Sequence, residues 1–270
     1  MSTMSGSYLF IDGNYFQQAW EKFNSFWFDG KGRFSYPQLS AHHKKIFYYD
    51  ALPSKKDNES DEEFGARLKA KHDFFNYLRG LSRWHVYEGI SKRARGGIAR
   101  QKEVDVLIAV DMLTHTHRKN MEELTFIAGD QDFRPLIDAV VREGMNVNLW
   151  YGSGSVSEDL KNTADSSMCM DVFSLHHFLD GDTQKSCPMP QRSGSMGEFQ
   201  PHGRLIENGF RGDQLVARIR RDATFDHINS AVVFSGVYHS NYRVQGNLEF
   251  AKKVYAYEFG DIEWRPAGGE

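Results

Sequence analysis

The chain has few cysteines, little net charge and no long apolar run, and each shortage removes a class of protein. Only two of its 270 residues are cysteines, too few for a disulfide framework or a thiolate zinc site. This favours a reducing compartment, and we predict a cytoplasmic protein. No apolar run approaches the roughly 20 residues of a membrane helix, and the first residues lack the pattern of a signal peptide. We therefore expect no membrane partner.

The charge balance excludes nucleic-acid binding through overall charge. Lys and Arg total 33 and Asp and Glu total 36, so the net charge is −3. Any nucleic-acid binding must come from a local basic patch. The hydrophobic content of 40% and charged content of 26% are ordinary for a soluble globular protein.

The first two thirds of the chain alternates short apolar runs with helical patterns. Buried strands are expected at residues 8–11, 45–49, 84–87, 124–128 and 146–150. Helices are expected at residues 61–80, 104–117, 133–143 and 158–164. Apolar strands that alternate with helices predict an α/β fold, with a parallel sheet covered by helices on both faces.

The composition predicts three regions along the chain. Residues 6–180 form the α/β domain, and residues 181–203 are a linker rich in Gly, Ser, Pro, Gln and Met. Residues 204–270 form a small β-rich accessory unit, near the lower size for independent folding. In it we expect strands at residues 231–234 and 254–257 and a helix at residues 214–221.

Four carboxylates follow the predicted strands or open a helix: Asp12, Asp105, Asp130 and Asp132. In open parallel sheets the ligand site lies beyond the carboxyl ends of the strands. Clustered carboxylates repel one another and need a counter-charge. Mg²⁺ or Mn²⁺ suits oxygen ligands, and no Cys/His set favours zinc. Such a site suits phosphodiester hydrolysis by metal-activated water.

Each acid also has an ordinary structural interpretation. Asp132 could cap a helix, Asp12 could belong to a turn, and Asp105 could be favoured by the helix dipole. The occurrence of all three acids at matching ends of the strands favours a functional site over three separate structural roles. Asp111 lies six residues after Asp105 and so on a different helix face. We expect it to support the site from behind the ligands.

Two further clusters are candidates for contact with nucleic acid. The basic run consists of Lys92, Arg93, Arg95, Arg100 and Lys102. It precedes the second acidic block and could clamp a phosphate backbone, or it could be a solvated loop; Lys102 is the best single candidate. An aromatic cluster follows the first block, and its members could stack bases or pack a core. They are Trp20, Phe23, Phe26, Trp27 and Phe28.

Three blocks carry a family resemblance. They are FIDGNY at residues 10–15, KEVDV at residues 102–106 with VDML at 110–113, and IAGDQDF at residues 127–133. In order and spacing they resemble NYN domains of the PIN-like nuclease superfamily, and the bacterial LabA-like branch is most similar. The resemblance runs from about residue 8 to residue 179. One departure is Ala128, where many relatives carry serine.

The resemblance implies a PIN-like, Rossmannoid fold, Mg²⁺ or Mn²⁺ binding, and ribonuclease activity on single-stranded or structured RNA. Asp12, Asp105, Asp130 and Asp132 match the family's acidic positions. Asn14 matches the polar residue of the first block, and Lys102 lies in the second block. We expect Asn14 and the basic run to bind substrate.

Two other functions compete with a ribonuclease. A phosphatase of the haloacid-dehalogenase type needs a second Asp two residues after the first, and this chain has Asn14 there. A non-catalytic RNA-binding or regulatory module on the same fold would be favoured by loss of an acid, and none is missing. The sequence leaves open a homo-oligomer and a protein partner of the C-terminal unit.

Overall fold

The computed structural model divides the chain into two compact units, residues 1–170 and 171–270. It describes residues 6–90, 92–93, 99–100, 102–152, 156–186, 203–221, 228–234, 237–244 and 248–267. No helix within these ranges has the length and hydropathy to cross a bilayer.

The first unit is built on a six-stranded sheet. The strands of this unit, in chain order, are β1 (Ser7–Asp12), β2 (Lys45–Leu52), β3 (Trp84–Ile90), β4 (Lys92–Arg93), β5 (Ala99–Arg100), β6 (Glu123–Ile127), β7 (Asn146–Gly152) and β8 (Ser166–Met170). Strands β4 and β5 form a separate short hairpin, and the other six form the sheet. The sheet order is β3-β2-β1-β6-β7-β8, and every neighbouring pair is parallel. The predicted α/β fold with a parallel sheet is confirmed.

Helices connect these strands. They are α1 (Gly13–Phe28), α2 (Tyr36–Leu39), α3 (Asp61–Gly80), α4 (Lys102–His117), a 3-10 turn (Gln131–Phe133), α5 (Arg134–Arg142) and α6 (Glu158–Thr163). The start of α3 is a capping box, in which Ser60 Oγ accepts from the Glu63 backbone N–H and the Glu63 side chain accepts from the Ser60 N–H. Ser157 caps α6, and its side chain accepts from the Leu160 backbone N–H.

The aromatic cluster lies on α1. Trp20, Phe23 and Trp27 are buried, and their spacing of three and four residues places them on one face of the helix. Phe26 is 39% exposed. Packing therefore accounts for the three buried rings, and base stacking is not needed to explain them.

The second unit contains a five-stranded antiparallel sheet. Its elements are α7 (Val172–His177), α8 (Gly181–Ser186), β9 (Arg204–Arg211), β10 (Gln214–Arg221), β11 (Ile228–Phe234), β12 (Val237–Val244), α9 (Leu248–Phe259) and β13 (Glu263–Pro266). The order is β12-β11-β10-β9-β13. Ala217 and Ile219 of the sheet form a buried cluster with Ala251 and Tyr255 of α9. The strand predicted at residues 231–234 is confirmed within β11.

Two predictions in this unit are wrong. Residues 214–221 form strand β10, not a helix, because Gly212 adopts a positive φ and the chain turns there into a hairpin with β9. Residues 254–257 lie in helix α9, not in a strand. Ala251, Val254 and Tyr255 are buried together, and their spacing is that of a helix face.

Candidate active site

The acidic centre, which we define as Asp12, Asp105, Asp130 and Asp132, lies where the strand order of the sheet reverses. β1 and β6 are neighbours in the middle of the sheet, and Ile11 pairs with Ile127 near their carboxyl ends. The chain leaves β1 toward β2 on one side and β6 toward β7 on the other. Such a switch point opens a crevice in which ligands of α/β sheets bind.

Asp12 is held rigidly at this point. It ends β1 and caps α1, and its Oδ1 accepts a hydrogen bond from the Tyr15 backbone N–H at 3.2 Å. The residue is only 9% exposed. A side chain at Gly13 would clash with the ring of Tyr48 on β2, with an added Cβ only 2.5 Å from that ring. Glycine is therefore required for α1 to start against the sheet.

The charge on Asp12 is strongly disfavoured. Its pKa is raised from 3.8 to about 7, and burial is the largest cause. The hydrogen bond from Tyr15 lowers the pKa, and repulsion by Asp105, Asp50 and Asp130 contributes to the rise. A nearby cation would reverse this effect, because an opposite charge favours the ionised carboxylate.

Asp130 and Asp132 follow β6, and Asp105 lies in the first turn of α4. Asp130 Oδ1 accepts from the Asp132 backbone N–H at 2.9 Å, so Asp130, and not Asp132, caps the turn after β6. The pKa of Asp105 is raised by loss of solvent and then by repulsion from Asp130 and Asp132. The four acids therefore share one electrostatic environment.

The donor set fits a hard divalent cation in its chemistry. It consists of carboxylate oxygens, and within the part of the chain that the structure describes no cationic group is among those that shift the pKa of Asp12. Among the residues that the structure describes, no group of three His, Cys, Asp or Glu side chains is arranged to hold a metal ion.

Asp50 is an acid of this region that is not among the site residues predicted from the sequence. It lies near the end of β2, next to β1 in the sheet, and its charge raises the pKa of Asp12. It is 1% exposed and pairs with Lys71 of α3 at 2.5 Å. A signal was present, because the predicted second strand stops at Asp50 just as the first stops at Asp12.

Asp111 takes part in a different contact. It accepts a hydrogen bond from the Tyr49 hydroxyl of β2 at 2.8 Å. Burial and then the charge of Asp111 raise the pKa of Tyr49. Asp111 thus fastens α4 to the sheet, and its support of the acidic centre remains a prediction.

The predicted substrate-binding residues are described to different extents. Asn14 is exposed in the first turn of α1, two residues after Asp12. Arg93 and Arg100 belong to the hairpin β4–β5, and Arg100 pairs with Lys92 across it. Lys102 begins α4. Arg95 lies outside the described residues, and the side chains of the basic run are likewise outside them.

The fold and the acidic centre define the first unit as an α/β domain with a carboxylate site at its switch point. The family model of the NYN domain matches residues 8–171. The chain therefore belongs to the NYN domain family, and the predicted family is confirmed. A PIN-like nuclease fold is consistent with this membership. No curated protein matches the chain.

Two solved structures are similar over part of the chain. One is a protein of unknown function from Vibrio parahaemolyticus, with 17% identity and a TM-score of 0.45, covering 66% of this chain and 99% of that protein. The other is a candidate oxidoreductase from Parabacteroides merdae, with 11% identity and a TM-score of 0.26. This second match covers 80% of this chain and 45% of the other protein.

Proposed function

We propose that the NYN domain of this chain is a metal-dependent ribonuclease whose site is the acidic centre. The observation that carries the proposal is the buried charge of Asp12 at the switch point, with Asp105 and Asp130 as its electrostatic neighbours. A fold that needed these acids only as helix caps would gain nothing from bringing them together, because each raises the free energy of the others' ionised form.

The acids would hold Mg²⁺ or Mn²⁺. Asp12 and Asp130 each use Oδ1 to accept a backbone hydrogen bond, which orients the carboxylate. Their Oδ2 atoms accept none of the described hydrogen bonds and are available as ligands. Asp105 and Asp132 would complete the set. When bound, the ion would lower the pKa of water and offset charge on the phosphate in the transition state.

Substrate positioning is assigned to Asn14 and the basic run. Asn14 is exposed beside Asp12, so its amide can donate to a phosphate or sugar oxygen. Arg93, Arg95, Arg100 and Lys102 precede the acid of α4 and would neutralise backbone phosphates of RNA. A cytoplasmic location, membership of the LabA-like branch, a homo-oligomer and a partner of residues 204–270 remain predictions.

A cleavage assay tests this function. The full chain is incubated with single-stranded RNA, structured RNA and DNA of the same sequence, with Mg²⁺, with Mn²⁺ or with EDTA. We expect cleavage of RNA with either metal and none with EDTA. Absence of metal-dependent RNA cleavage across these substrates would contradict the proposal and favour a non-catalytic RNA-binding module.

A further inference from the structure

A cleft of about 470 Å³ lies in the first unit, and Asn14, two residues after Asp12, is one of the residues that line it. Its volume is in the range of small-ligand sites, about 300–1,000 Å³. Helix α1, the end of β2 and helix α3 form its walls. The side chains that matter here are Asn14, Gln18, Asp50, Arg67, Lys71 and Phe74.

The floor of the cleft is a fixed ion pair. Lys71 Nζ lies 2.5 Å from Asp50 Oδ2, which also accepts from the Tyr48 hydroxyl at 3.0 Å. The backbone N–H of Ala51 donates to Asp50 Oδ1 at 2.8 Å. Both oxygens of Asp50 are thus occupied, whereas an ammonium has three N–H donors. Lys71 can still donate to a ligand, and Asp50 fixes its position.

Arg67 lies one turn before Lys71 on the same face of α3. Its Nε and Nη2 donate to Glu59, both at 2.7 Å, and Nη2 also donates to the Ser54 carbonyl oxygen. Its Nη1 makes no hydrogen bond in the described part of the chain. The cleft therefore offers two held cations with donors to spare.

The net charge of the cleft is unsuited to a phosphate. Glu21 also lines it, so two acidic side chains, Asp50 and Glu21, balance two basic ones, Arg67 and Lys71. Phosphate binding depends on excess positive charge. Spare hydrogen-bond donors without excess charge suit a neutral polar group, such as the edge of a nucleobase.

The remaining walls match the other parts of a base. Asn14 and Gln18 lie one turn apart on α1 and are exposed, so their amides can both donate to and accept from a base edge. Phe74 is half-buried and contacts the rings of Tyr36 and Tyr48 at 5.4 and 5.9 Å. Amides beside an aromatic side chain are the usual setting for an unpaired base.

Two lining residues connect the cleft to the acidic centre. Asn14 lies two residues after Asp12 at the start of α1, and Asp50 follows Tyr49, the residue of β2 that pairs with Asp12 in the sheet. We propose that this cleft receives the unpaired base of a nucleotide next to the cleaved phosphate in single-stranded RNA. The proposal rests on the ribonuclease function, since it places the base relative to that reaction.

Binding measured without catalysis tests the cleft. The full chain in EDTA is titrated into a fluorescein-labelled, single-stranded 12-nucleotide RNA, and affinity is read by anisotropy. The cleft variants are Gln18→Ala and Arg67→Ala. Gln38→Ala and Lys69→Ala are matched controls, because Gln38 is exposed on α2 and Lys69 lies on α3 outside the cleft lining.

We expect each cleft variant to bind about five- to tenfold more weakly, from the lost hydrogen bonds, and each control to stay within about twofold. An RNA duplex of the same length should compete at least about tenfold less well, because its bases cannot enter a cleft. Cleft variants that bind like the controls, or a duplex that competes equally, would overturn the proposal.

The two proposals fail in distinguishable ways. If the wild type cleaves RNA but the cleft variants bind as it does, the cleft assignment is wrong and the nuclease function stands. If the cleft variants lose binding but the wild type cleaves no RNA with Mg²⁺ or Mn²⁺, the nuclease function is wrong and the cleft is an RNA site of a non-catalytic module.

Discussion

Replacing Asp12 by asparagine should stabilise the metal-free protein at neutral pH. Asparagine keeps the cap on α1, because its carbonyl oxygen can accept from Tyr15 N–H. It removes a carboxylate whose pKa is raised from 3.8 to about 7. That rise corresponds to about 4 kcal/mol against the ionised form, at about 1.4 kcal/mol per tenfold change.

The pH dependence has a definite sign. Below pH 3.8 Asp12 is protonated in both the folded and the unfolded chain and carries no penalty. Between pH 3.8 and 7 the folded state binds more protons than the unfolded state, so the free energy of unfolding falls as the pH rises. The advantage of Asp12→Asn should therefore be about 4 kcal/mol at pH 8 and less than about half of that at pH 5.

Urea unfolding in EDTA, followed by tryptophan fluorescence at pH 5 and pH 8, measures this difference. Asp73→Asn is the control, since Asp73 is an exposed acid of α3 and its variant should change stability by less than about 1 kcal/mol. Added Mn²⁺ should stabilise the wild type and not Asp12→Asn, because binding to the folded state adds to stability. An Asp12→Asn protein no more stable than the wild type at pH 8 would refute the reasoning.

Three further outcomes concern stability. Lys71→Met should lower the free energy of unfolding by about 3–5 kcal/mol, because it removes the cationic partner of the buried Asp50. The control Lys69→Met should lower it by less than about 1 kcal/mol, and urea unfolding compares the two variants. Ser60→Ala should cost about 1 kcal/mol in the same assay, from loss of the cap of α3. Burial lowers the pKa of His43 to about 4, so native stability should fall from pH 6.5 toward 4, and His43→Gln should reduce that fall in thermal unfolding.

The strands of the sheet were predictable where a short stretch of the sequence is apolar throughout. β1 and β6 are buried over nearly their whole length, and Asp12 ends the first whereas Asp130 caps the turn after the second. Apolar runs of this kind, interrupted by helices, specify a parallel sheet. The edge strand β8 was not predicted, because Ser166 and Ser167 are exposed and only β7 pairs with it. An edge strand needs no continuous apolar run.

The C-terminal unit shows why local propensity misleads. Val254, Tyr255 and Tyr257 are residue types that favour strands, yet they lie in α9. The burial of Ala251 together with Val254 and Tyr255 decides the matter, and it depends on packing against β10 that the local pattern does not reveal. Tertiary contacts override intrinsic preference in such segments.

In the candidate site too, some residues were predictable from local sequence and others depend on tertiary contacts. Asp12, Asp130 and Asp132 were predictable from the ends of the predicted strands, because Asp12 ends β1 and the other two lie in the turn after β6. Asp50 lies near the end of β2, but its partner Lys71 lies 21 residues further along, on α3. Only the folded helix brings that cation to the sheet, so the ion pair, and the cleft that it lines, could not be predicted from spacing.

Catalysis at the proposed site depends most directly on Asp130. Cleavage of single-stranded RNA with Mn²⁺ is measured for the wild type, for Asp130→Asn and for Asp138→Asn, with circular dichroism to verify folding. Asp138 is the control because it lies on α5 in an ion pair with Arg142. We predict that Asp130→Asn is folded and inactive and that Asp138→Asn cleaves as the wild type does. Equal cleavage by Asp130→Asn and the wild type would contradict the acidic centre as the catalytic site.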